Sequence, residues 1–171
     1  MGGRTMTSII KVDQIQKTDG STPTIRDLAI NDSGTVLQVK SFQQAVGQTM
    51  VTASTVWAYT GCSISITPAS TSSKVLVLVS GAMIANSTNS YEVRVKRGST
   101  VINLHEMYHN DSTWQGDSVS LTCLDSPSSA SSVSYSVEMR SQINGNNNYL
   151  RWNYSNQSGS TSTITVMEIA G

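Results

Sequence analysis

Between Lys74 and Ala85 the chain reads Lys-Val-Leu-Val-Leu-Val-Ser-Gly-Ala-Met-Ile-Ala. The apolar stretch from Val75 to Val79 leaves no polar face, so it predicts a strand buried on both sides, or one lying centrally in a sheet that another layer covers. A short apolar run also suits a buried helix. Valine at alternate positions argues against that, because β-branched side chains lose rotamer freedom in a helix and fit a pleated sheet. Turn-rich sequence brackets the run: Thr67-Pro68-Ala69-Ser70-Thr71-Ser72-Ser73 before it and Asn86-Ser87-Thr88-Asn89-Ser90 after it. The other apolar segments are half polar and need this one to pack against.

Those segments alternate with period two. Cys62, Ile64 and Ile66 alternate with Ser63, Ser65 and Thr67; Tyr91, Val93 and Val95 with Glu92, Arg94 and Lys96; Val133, Tyr135, Val137 and Met139 with Ser134, Ser136, Glu138 and Arg140. At the end of the chain, Ile164, Val166 and Glu168 oppose Thr163, Thr165, Met167 and Ile169. Val36 to Phe42, Met50 to Tyr59, Val101 to Leu104, Ser118 to Leu124 and Tyr149 to Tyr154 read as further strands. Roughly eight to ten short strands separated by turn signals predict an all-β antiparallel sandwich or barrel. No segment has a helical period.

Residues 1–34 differ. Two extended pieces, Ser8 to Gln16 and Thr22 to Ile30, are separated by the turn Lys17-Thr18-Asp19-Gly20-Ser21, and Pro23 interrupts the second. They carry Ile9, Ile10, Val12, Ile15, Ile25, Leu28 and Ile30, too few apolar residues for a core of their own. The expectation is an N-terminal attachment arm over 1–34 that docks on something else, and a β head over 35–171.

The balance of charge removes several classes of function. The chain of 171 residues has net charge +0 and only 13% charged residues, which does not provide the clustered Lys and Arg that phosphate binding needs. Arg94, Lys96 and Arg97 read as a solvated strand edge. No apolar run approaches the ~20 residues of a membrane-spanning helix, and the opening residues do not read as a secretory signal. Cys62 and Cys123 read as free, buried thiols, with a bond between them left open. The Asn-x-Ser/Thr triplets at Asn86, Asn110, Asn153 and Asn156 are what chance gives in so Asn- and Ser-rich a chain.

Four stretches resemble segments of fibre-like virion proteins of marine tailed phages: Ser8 to Gln16, Gly34-Thr35-Val36-Leu37-Gln38-Val39-Lys40, Ser65 to Val77, and Ser162-Thr163-Ile164-Thr165-Val166-Met167-Glu168-Ile169-Ala170. The resemblance covers most of the chain and rests on strand-turn patterns rather than on reactive residues. It implies a jelly roll similar to tumour-necrosis-factor-like domains, assembled as a homotrimer on a virus particle. It further implies a tail fibre or capsid-mounted fibre, with other virion proteins as partners and a host surface glycan as a further contact. Residues 86–90 and 105–118 match no motif of that family.

Reactive chemistry has one candidate. His105-Glu106-Met107-Tyr108-His109 matches the zinc hydrolase pattern of two histidines around a glutamate. That chemistry needs both imidazoles on one helical turn, and the flanking residues read as β. A structural metal held by His105 and His109 is the weaker alternative. No nucleophile elbow or phosphate-binding glycine loop occurs, and no cofactor is expected. Tyr108 and Trp114, in a polar stretch, are the expected exposed aromatics and the candidates for a receptor or glycan contact. A soluble lectin is therefore the competing class.

Overall fold

The computed structural model describes residues 19–21, 33–45, 50–52, 54–86, 89–110, 113–143, 149–153 and 161–171. The chain divides into two units, Met1–Asn31 and Asp32–Gly171. Of the first, only a turn is described, in which Asp19 Oδ1 accepts hydrogen bonds from the backbone N–H and hydroxyl of Ser21. The arm residues Ile9, Ile10, Val12, Ile15, Ile25, Leu28 and Ile30 lie outside the described residues.

The second unit is all β among its described residues. Its strands are β1 (Val36–Gln44), β2 (Met50–Thr52), β3 (Ala58–Ile66), β4 (Lys74–Asn86), β5 (Asn89–Arg97), β6 (Thr100–His109), β7 (Trp114–Asp125), β8 (Val133–Ser141), β9 (Tyr149–Trp152) and β10 (Ser162–Ile169). β4 is the centre of the first sheet. One edge of it pairs with β7 along almost its whole length. The other edge pairs first with β10 and then with β9, which lie end to end. β1 flanks β10, and β2 flanks β9. The second sheet has the order β3-β8-β5-β6.

Taking β1 with β2 and β9 with β10 as two interrupted strands leaves eight. In chain order the sheets then read 1-8-3-6 and 2-7-4-5, the order of a jelly roll. Every pairing is antiparallel.

The apolar run behaves as a covered central strand rather than one buried on both sides. Val75, Val77, Val79, Met83 and Ala85 point into the core, while Leu76, Leu78, Ala82 and Ile84 on the other face are only half covered. The core they meet comes chiefly from Tyr91, Val93 and Val95 of β5 and Tyr135, Val137 and Met139 of β8, all fully buried. Gly81 leaves room for the Trp152 indole against β4; a Cβ there would collide with the ring. Gly61, at φ +86°, forms a bulge in β3 where the register to β8 shifts. The Thr60 hydroxyl donates to the Val137 carbonyl in place of the lost ladder bond, at 2.9 Å.

One expectation is corrected here. Arg94, Lys96 and Arg97 do not mark a sheet edge, because β5 lies between β8 and β6. Residues 105–109 form the end of a strand: β6 runs on to His109, and β7 begins at Trp114. The thiols of Cys62 and Cys123 are free, and burial pushes the Cys62 thiol up to about 12.

Candidate functional site

The histidine pair does not form a metal centre. On an extended strand, residues four apart are separated by roughly 13 Å, so the β6 backbone holds the two imidazoles apart. His105 is exposed. His109 is buried, with Nε2 paired to Asp117 Oδ2 of β7 and its ring edge-on to Tyr91 at 5.2 Å. Glu106 takes a hydrogen bond from Gln142. Among the described residues no three His, Cys, Asp or Glu side chains converge as metal ligands.

What the fold does build is two unlike outer faces. Across the first sheet, outward side chains form rows. Val39, Met167, Leu76 and Leu124 make one, and Ser41, Thr165, Leu78 and Thr122 the next, with Val36 and Ile169 beside the first. Val39 and Leu124 are 55% and 57% exposed. Lys74 and Arg151 are the charged residues among the described outward positions of β4, β9 and β10.

The second sheet's outer face is ionic. Its rows bring Glu92 opposite Arg140 and Arg94 opposite Glu138. Arg94 grips Glu138 through Nε at 2.8 Å and Nη2 at 2.5 Å, and Lys96 adds a third bond at 3.2 Å. Arg140 pairs with Glu92. Burial pushes the Glu138 carboxyl up, but hydrogen bonds from Arg94 and Lys96 and their charges outweigh it and hold it below the ordinary carboxylate range. The indole of Trp57 lies over both guanidinium groups, 3.9 Å from Arg94 Cζ and 4.6 Å from Arg140 Cζ. Tyr108 is 65% exposed on β6 at the rim of this face. Trp114 opens β7; its side chain lies outside the described residues.

Three of the family-like stretches meet at one atom group. Glu168 of β10 is fully buried. Its carboxylate accepts hydrogen bonds from Gln38 Nε2 at 2.5 Å, Ala69 N at 2.5 Å and the Ser73 hydroxyl at 2.8 Å. Gln38 also donates to the Thr67 carbonyl at 2.8 Å. The stretches beginning at Gly34, Ser65 and Ser162 are therefore joined through Glu168. Sequence reading placed Glu168 on the inward face but gave it no role. Its signal was a carboxylate at an inward position of an otherwise apolar alternation. Trp57 was missed outright.

Of the Asn-x-Ser/Thr triplets, Asn153 is fully buried, and its amide donates to the Ala45 carbonyl at 2.9 Å, so it is closed to glycosylation.

No family model matches the chain, and no curated protein matches it. Among solved structures, a chain described as dimeric latent PorU from Porphyromonas gingivalis aligns over 82% of this chain at 12% identity and a TM-score of 0.37. This chain spans 12% of that one's length, and a likeness of that order bears on neither fold nor function. The class that the strands themselves define is an antiparallel jelly-roll sandwich.

Proposed function

We propose that the chain is a non-enzymatic structural protein of a virus particle, a trimeric tail fibre or capsid-mounted fibre head attached through residues 1–34. The observation that carries this reading is the contrast between the two outer faces. A sheet face with a row such as Val39–Met167–Leu76–Leu124, half exposed in one copy, is stabilised by covering it with a second copy. The ionic face of the other sheet is suited to remain in water. A closed threefold ring would bury the aliphatic face of each subunit and cover part of the β1 and β7 edges. A standard specific interface covers about 800 Å² per partner, which a four-strand face can supply. The resemblance to phage fibre-like proteins supplies the virion setting and the attachment role.

The test has two parts. Light scattering on the purified protein gives three times the 18.3 kDa chain mass, and Leu124→Asp gives a folded monomer. Mass spectrometry of purified particles finds the chain in stoichiometric amount. A wild-type monomer at micromolar concentration sinks the trimer, and absence from particles sinks the virion assignment.

A further inference from the structure

We propose that the outer face of the β3-β8-β5-β6 sheet is a binding site for a neutral, polyhydroxylated glycan, centred on Trp57. Trp57 lies just before β3, partly exposed, with its indole against Arg94 and Arg140. Both guanidinium groups are themselves fixed by Glu138 and Glu92. The ring is thus held at a set position by groups that are already oriented, so little freedom is lost when a ligand arrives. Tyr59, 46% exposed and with its hydroxyl 2.7 Å from that of Ser63, adds a second aromatic one β3 repeat away.

The ligand class follows from the chemistry of the face. Sugars present a C–H face that stacks on an indole and hydroxyls that both donate and accept. Here donors on Arg94, Lys96 and Arg140 lie beside fixed acceptors on Glu106 and Glu138, while the buried Glu92 holds Arg140 in place. Three cations against three carboxylates leave no net charge, which disfavours a polyanion. The site deepens the reading of the chain as an exposed virion head, yet it can be tested apart from that reading, because binding needs only the purified protein.

The experiment titrates wild-type protein and Trp57→Ala against immobilised mannan, galactan and β-glucan, with alginate as an acidic control. The expected result is saturable binding to one neutral polymer at physiological salt, weakened about tenfold or more in Trp57→Ala, with a cooperative melt retained. If Trp57→Ala does not fold, Trp57→Phe keeps a ring over the arginines, and the Trp57 indole N–H resonance of the wild type must shift on adding the polymer. Three results overturn the proposal: no binding to any neutral polymer, binding unchanged by the variant or without an indole shift, and binding to alginate alone that salt abolishes.

Discussion

Glu168 shows how one residue can hold three segments that are far apart in sequence. A buried carboxylate is tolerated only when its lone pairs are filled. Here the donors come from β1, from the turn after β3 and from the approach to β4. Glu168→Ala removes the acceptor of the buried Ser73 hydroxyl and of the half-buried Ala69 N–H, while Gln38 keeps the Thr67 carbonyl, and we expect a loss of about 2 kcal/mol, read as a lower denaturant midpoint at unchanged slope. Glu138 acts differently, through charge. Its folded carboxyl is held below its ordinary value of 4.5, so the stability it contributes is present above that pH and is lost as pH falls through the lower folded value. An acid titration of stability should therefore be steeper below pH 4.5 in wild type than in Glu138→Gln. Neither role was legible in the sequence, where both residues are single acids in alternating strands. The signal for the ladder was nonetheless present. Glu92-x-Arg94-x-Lys96 and Glu138-x-Arg140 carry complementary charges at period two, and two such strands pair well when antiparallel.

At the scale of elements, alternation and turn residues made most strands legible, because burial of one face is a local property of a strand. The run at β4 was read correctly as central. Val77→Asp puts an unpaired carboxylate into a position only 1% exposed, at a cost of several kcal/mol, and should abolish the cooperative melt; normal yield and melting would show the strand tolerates water. Sheet order was not legible. Arg94 looked like an edge residue because its partner Glu138 lies 44 residues away. The strand at His105 to His109 was hidden by polar side chains that serve a different need, the closing of seams between the sheets. Where β6 meets β7, His109 pairs with Asp117 and Asn103 Nδ2 donates to the Thr122 carbonyl at 3.1 Å. Where β1 meets β3, Gln38, Lys40 and Gln44 donate to the carbonyls of Thr67, Ser65 and Thr60. Side chains there stand in for a backbone ladder, so inward-facing polar residues mark sheet edges rather than loops.

At the scale of the whole molecule, the β unit closes on itself near its start. Gly34 N donates to the Ala170 carbonyl and Ala170 N to the Thr35 carbonyl, both at 2.8 Å. Among the described residues, the core is drawn from those after Thr35. A protein beginning at Thr35 should therefore fold and keep its oligomer mass while failing to join particles. Comparing melts, light scattering and incorporation with the full chain checks each part; loss of the folded oligomer would place residues 1–34 in the structural core of the head. The aliphatic face that supports self-association was legible only as an excess of apolar residues in β4. Its neighbours Val39, Met167 and Leu124 come from three other strands, and only the register assembles them.

The two interrupted strands carry one more consequence. Ser80 pairs with Thr163 and Met83 with Trp152, so β4 spends Gly81 and Ala82 where its partner spends residues 153–162. The neighbouring strand breaks at the same height, with Gln44 facing Ser162 and Met50 facing Trp152. Both margins of the break are pinned: Trp152 Nε1 donates to Gln44 Oε1 at 3.0 Å, and Asn153 N donates to the Ala82 carbonyl at 2.8 Å. The register on either side is set by those pins, and a longer connection adds only about 0.6 kcal/mol per doubling. Lengthening the chain between 154 and 160 is therefore expected to leave the pairing of β9 and β10 with β4 in place. Six Gly/Ser residues added between 154 and 160 should shift the melting temperature by only a few degrees. A single residue added between Thr165 and Val166 turns every following side chain of β10 to the wrong face and should prevent folding.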